Sequence, residues 1–140
     1  YVDRLAAEHA ADKRLLRFAA SELVGAAEAK LRGEAVDPAV YTRAAAGLCD
    51  QPGGAEIDTV VLACTHFPLV QDELAAAFGP GVQFVHGAAG IARRIVHLTK
   101  DQRFARTQPD FALFTKHEPS LAALAPALAG YGLCALEVLA

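Results

Sequence analysis

The feature that most restricts how this chain can fold is the run Thr59-Val-Val-Leu-Ala63. A strand with one wet face alternates apolar and polar residues. A strand that is β-branched and apolar throughout wants cover on both faces, as in a parallel sheet. Gln51-Pro52-Gly53-Gly54 breaks the chain just before it. Leu69, Val70, Leu74 and Phe78 follow at helical spacing and end at Gly79-Pro80-Gly81. Val82 to Val85 is a second short strand pattern, so this stretch alone reads strand, helix, strand.

The rest of the chain continues the alternation. Val2, Leu5, Ala6, His9 and Ala10 recur at helical spacing, and Leu15 to Ala19 is short, apolar and strand-like. Ser21 is placed to cap a helix whose stripe is Leu23, Val24, Ala27 and Leu31, ending at Gly33. Asp37-Pro38 opens another helix, with Asp at the cap and Pro in the first turn, carrying Val40, Tyr41 and Leu48. Ile91, Ile95, Val96 and Leu98 predict a further helix, and Lys100 to Pro109 a polar loop. Phe111 to Phe114, Leu121 to Leu128 and Leu133 to Leu139 then give strand, helix and strand. The order argues for an α/β protein with a mostly parallel sheet and flanking helices.

The bulk properties exclude several functions. The chain has 140 residues, 54% hydrophobic and 21% charged, and a formal net charge of -3. That balance is globular, and it supplies no basic field for nucleic acid. No apolar run approaches the ~20 residues that span a bilayer. The first residues are amphipathic and acidic, unlike a secretory signal. Three cysteines without regular spacing do not suggest a disulfide framework, which favours a reducing, cytoplasmic setting. The chain starts at Tyr1 and contains no Met, so a strand and its loop are expected to precede it.

Function in open α/β sheets collects at the carboxyl ends of strands. Cys64 stands there, followed by Thr65, His66, Phe67 and Pro68. With Pro68 in the first turn of the next helix, nearby backbone N–H groups and the helix dipole would favour a thiolate and a bound carboxylate. Thr65 adds a hydroxyl, and His66 can exchange a proton with the thiol. A cysteine on a strand is also, most often, a small buried hydrophobe. Half of a metal site is a further reading, but a metal wants three or four ligands, and Cys49 and His86 have no spacing to supply them. Cys49 and Cys134 read as packing residues, and His9, His97 and His117 as surface or packing residues.

The run Asp58-Thr-Val-Val-Leu-Ala-Cys-Thr-His-Phe-Pro-Leu69 closely resembles the second cysteine motif of glutamate racemases. Ser21 to Glu34 looks like the family segment that leads to it. The resemblance covers essentially the whole chain and is strongest from Ser21 to about Leu98. It implies interconversion of L- and D-glutamate without cofactor or metal, in the service of peptidoglycan synthesis. One thiolate removes the α-proton while a thiol on the opposite face delivers one. Cys64 would be one of these two acid/base groups, with Thr65 on the substrate carboxylate and His66 assisting the thiol. Glu28 matches a family glutamate that pairs with this histidine and strengthens it as a base.

The family fold has two α/β domains with the substrate between them. The first cysteine lies in a Cys-Asn-Thr-Ala-type motif and an Asp-Ser-Gly motif lines the same site. Neither stretch occurs in this chain. The expected division is therefore a second racemase domain over 1–99 and a segment over 100–140 that packs on an absent first domain. On this reading the partners are glutamate and the missing N-terminal domain, with a homodimer also open. One departure is His86, where family members tend to carry aspartate.

Two other readings stay open. One is a racemase of another acidic or cyclic substrate, such as aspartate or a hydantoin. The other is a non-catalytic interaction module. A Cys64–His66 hydrolase is less favoured, since no third group is recognisable.

Overall fold

The computed structural model describes residues 1–105 and 107–139. Arg106, inside the expected polar loop, and Ala140, the last residue of the expected C-terminal segment, lie outside the described residues. The chain falls into two units, residues 1–25 with 37–86, and residues 26–36 with 87–140.

The first unit contains α1 (Val2–His9), α3 (Ala39–Cys49), β1 (Thr59–Val61), α4 (Gln71–Phe78) and β2 (Gln83–Val85). The helix α2 (Glu22–Leu31) crosses the division between the units. β1 and β2 pair in parallel, with Thr59 opposite Gln83, Val60 opposite Phe84 and Val61 opposite Val85. Parallel neighbours need a crossover, and α4 is it, so β1-α4-β2 is a βαβ unit. Asp37 fulfils its capping role: its Oδ1 accepts the Ala39 backbone N–H at 3.0 Å, and Pro38 already has helical dihedrals (φ -57, ψ -23). Its neighbour helix α3 packs on α4, and Val40, Tyr41, Ala44, Ala45, Val60, Leu62, Val70 and Leu74 are buried. The rings of Phe78 and Phe84 meet edge to face, with centroids 5.7 Å apart, fixing the end of α4 against β2.

Two expectations for this unit change. Leu15–Ala19 is not a strand. Its carbonyl needs are met another way: the Gln51 side-chain amide donates to the Arg17 carbonyl at 3.1 Å. The Phe18 ring lies against Gly47 of α3, where the lack of a side chain leaves it room. β1 is also covered on one face only. Val60 and Leu62 are buried while Val61 is exposed, so the apolar run behaves as an alternating one in this chain.

The second unit holds α5 (Ala88–Thr99), β3 (Phe111–Phe114), α6 (Leu121–Gly130) and β4 (Ala135–Val138). β3 and β4 pair in parallel from Phe111 opposite Ala135 to Phe114 opposite Val138, with α6 as the crossover. This second βαβ unit matches the predicted strand–helix–strand order. The α2 terminus in this unit is a Schellman motif: Glu34 N–H donates to the Ala29 carbonyl at 2.9 Å and Gly33 N–H to the Lys30 carbonyl at 3.0 Å, with Gly33 at φ +73. α5 forms as expected, yet it contributes no buried residue, and Ile91, Ile95, Val96 and Leu98 are exposed. The protein is thus a mixed α/β chain built on parallel strand pairs.

Candidate active site

The end of β1 is continued by a turn. Leu62 N–H still donates to the Val85 carbonyl at 2.8 Å, after which the chain leaves the sheet. Phe67 N–H closes the turn by donating to the Cys64 carbonyl at 3.2 Å, and Leu69 N–H donates to the His66 carbonyl at 3.0 Å. The Phe67–Val70 segment is a 3-10 turn with Pro68 near its start, and α4 begins only at Gln71.

This differs from the expected start of a full α-helix at Pro68. Val70, at φ -119 and ψ 23, interrupts the helical path between the 3-10 turn and α4. Pro68 presets the tight turn with its fixed φ but brings no N–H of its own. The long, aligned dipole of an α-helix therefore does not begin beside Cys64.

What the turn does accomplish is to bring a thiol and an imidazole together. Cys64 Sγ lies 3.8 Å from His66 Nδ1, and both side chains are half-buried. Two residues apart on an extended strand, such groups would share a face at roughly 7 Å separation. The bend at Cys64 shortens that to a distance over which a sulfur–nitrogen hydrogen bond forms. Thr65, between them, is exposed to solvent. The site thus offers a proton-exchanging pair and a hydroxyl donor on one short turn at the carboxyl edge of a parallel pair. No disulfide sequesters the sulfur, since Cys49, Cys64 and Cys134 are all free.

Glu28 sits on the part of α2 that belongs to the second unit, where its Oε2 is 3.5 Å from Arg32 Nη1. Arg32 also bonds Glu34, at 2.7 Å, and this guanidinium holds the Glu34 carboxyl below its ordinary range. Cys49 and Cys134 were expected to be packed, but both are exposed. Cys49 closes the exposed end of α3, and Cys134 enters β4 after the Gly132 turn, so neither faces a core. His86 is the residue whose place linear reasoning left open. It follows β2 directly and so emerges on the same sheet edge as the Cys64 turn.

No family model matches the chain. Among curated proteins, the chain is 54% identical to glutamate racemase of Sphingopyxis alaskensis over 98% of its own length and 52% of the relative's. It is 38% identical to glutamate racemase of Pectobacterium carotovorum and 35% identical to that of Haemophilus influenzae, in each case over 99% of this chain and about half of the relative. The crystal structure of Escherichia coli glutamate racemase in complex with L-glutamate and the activator UDP-MurNAc-Ala superposes with a TM-score of 0.85 at 34% identity, covering 100% of this chain and 53% of the other. The chain therefore spans about half the length of the relatives it matches. Over that half, this chain is similar in sequence and in fold to the glutamate racemases.

Proposed function

We propose that the protein carrying this chain interconverts L- and D-glutamate without a cofactor, with Cys64 as one of two acid/base thiols. The observation that carries the reading is the 3.8 Å approach of Cys64 Sγ to His66 Nδ1 on the turn that ends a parallel strand. It is supported by homologues named glutamate racemase across the whole chain.

The chemistry asks for a base that removes a weakly acidic Cα proton and an acid that returns one to the opposite face. The Cys64 thiolate takes the proton in one direction, and the thiol gives it back in the other. His66 exchanges a proton with Cys64 so that either form is ready at the start of a turnover. The Thr65 hydroxyl donates to the substrate α-carboxylate and holds the Cα in line with the sulfur, where it stabilises charge that builds up as the proton leaves. By the family resemblance, Glu28 strengthens His66 as a base. The second thiol belongs to the half of the relatives' length that this chain does not span. We assign residues 1–99 to the second racemase domain and 100–140 to a segment that packs on the first.

The biological setting that fits is the cytoplasmic supply of D-glutamate for peptidoglycan. No described helix is long and apolar enough to cross a membrane. The activator named for the E. coli enzyme, UDP-MurNAc-Ala, makes regulation by that molecule part of the same reading. The test is solvent deuterium incorporation at the α-carbon. The full-length protein should exchange glutamate and not aspartate or hydantoins, and should lose exchange on Cys64→Ser. The 140-residue chain alone should show no inversion. Turnover by the chain alone that depends on Cys64 would overturn the two-thiol scheme.

The exposed face of α5, with Ile91 at 61% and Leu98 at 62% exposure, favours a second reading as an interaction module. That reading expects association without any exchange activity in the full-length protein.

A further inference from the structure

The Cys64 turn hangs between two buried side chains of the first unit. Leu62 ends the sheet side, where its N–H still donates to the Val85 carbonyl. Val70, wholly buried, ends the helix side, just before α4. Every residue from 63 to 69 is exposed or half-buried, so the core grips this turn only at its two ends. Between them the backbone is tied in steps. Phe67 N–H donates to the Cys64 carbonyl, Leu69 N–H to the His66 carbonyl and Gln71 N–H to the Pro68 carbonyl. Val70 itself holds the kink between the 3-10 turn and α4, at φ -119 and ψ 23. A β-branched side chain has few rotamers, so burying it fixes the backbone that carries it. The adjoining Leu69 amide is fixed with it, and through that amide the carbonyl of His66.

We propose that Val70 is the positioning residue of the Cys64–His66 pair, its burial setting the backbone that keeps the imidazole 3.8 Å from the thiol. The inference rests on the reading that His66 exchanges a proton with Cys64, and it adds the side chain that keeps the two in reach. Thr65, the residue between them, is exposed and gives the turn no buried hold of its own. A hydrogen bond weakens steeply with distance and misalignment, so a turn free to shift by about 1 Å would lose the contact. Alanine at position 70 would leave space beneath the turn and no branched side chain to fix its end.

The experiment is a double-mutant cycle between positions 66 and 70, read on the rate at which iodoacetamide alkylates Cys64 in the full-length protein. Mass spectrometry of the peptide that carries Cys64 separates it from other thiols. In the parent, His66→Ala should slow alkylation about fivefold, the scale of one hydrogen bond. In the Val70→Ala background the same change should slow it less than about twofold, because the imidazole has already moved out of reach. Val70→Ile, which keeps a branched apolar side chain, should keep most of the His66 effect. Leu74→Ala removes a buried side chain of α4 that does not end the turn, and should leave the His66 effect at its parent size. Circular dichroism checks the fold of each variant. Val70→Thr keeps the shape of valine but buries a hydroxyl, so it carries the test should the alanine variant unfold, and it should reduce the effect part way. A full His66 effect in the alanine or threonine variant would overturn the proposal, as would an equal loss of the effect in Leu74→Ala. Failure of the underlying reading shows elsewhere: His66→Ala would then leave the Cys64 rate unchanged in the parent itself, and the proposal would fall with it.

Discussion

A methyl group added at Gly54 would fall on the backbone carbonyl oxygens of Cys49 and Leu48. Backbone cannot swing aside as a side chain does, so Gly54→Ala should cost about 3 kcal/mol or more in urea unfolding. Gly33 makes the opposite case. It holds φ +73 in the cap of α2, but a methyl there would meet nothing within 4 Å. Only the left-handed backbone penalises Gly33→Ala, and the expected loss is about 1 to 2 kcal/mol. The same cap region carries a charge effect with a definite sign. Arg32, bonded to Glu34, holds the Glu34 carboxyl below the ordinary carboxylate range. A carboxyl lower in the folded state adds stability that is fully present above its unfolded value and is lost as pH falls through the folded one. The difference in urea midpoint between the parent and Glu34→Gln should therefore be flat from neutral pH down to about pH 5 and shrink below it. Both partners lie at the surface, so the difference stays small.

At the scale of elements, α4 and α5 have the same sequence logic and different fates. Leu74 of α4, the helix that packs on α3, is 2% exposed, whereas Ile95 of α5 is 55% exposed. Leu74→Ala should cost about 2 to 5 kcal/mol and Ile95→Ala less than about 0.5 kcal/mol, both read from urea midpoints. This contrast marks what the sequence could reveal. Helical spacing of Leu69, Val70, Leu74 and Phe78, or of Ile91, Ile95 and Leu98, announces a helix and its apolar face. It does not announce whether the cover for that face lies in the same chain. Leu15–Ala19 failed as a strand for a related reason. Its composition suits a ladder, but a ladder partner is a non-local choice, and here Gln51 and Gly47 took up Arg17 and Phe18 instead. The cysteine turn was legible because a β-branched run, a cysteine and a proline follow one another within a few residues. The 3-10 geometry of Phe67–Val70 was not, because a proline near the start suits a 3-10 turn as well as an α-helix.

At the scale of the whole molecule, the apolar surface is unevenly distributed. Among the described residues, eleven hydrophobic side chains are buried, and just two of them, Ala26 and Ala27, belong to the second unit. That unit instead exposes Ile91, Ile95, Val96 and Leu98 on one helix, with Phe104 beyond it. Ile91, Ile95 and Leu98 follow one another at spacings of four and three, so they form one stripe rather than scattered singles. A contiguous apolar stripe in water seeks another surface, and in a chain that spans half the length of its relatives two surfaces compete for it: the rest of the longer protein, or another copy of the chain. The two cases separate in sedimentation velocity. The 140-residue chain should sediment faster as its concentration rises, and the triple variant I91K/I95K/L98K should stay monomeric over the same range without loss of helical circular dichroism. Cover by the longer protein predicts that the full-length parent shows no such dependence, and that the triple variant lowers the thermal midpoint there while leaving the short chain's midpoint nearly unchanged. A short chain that remains monomeric at the highest concentration would mean that the exposed stripe drives no association, and the case for cover by the longer protein would then rest on the full-length thermal shift alone.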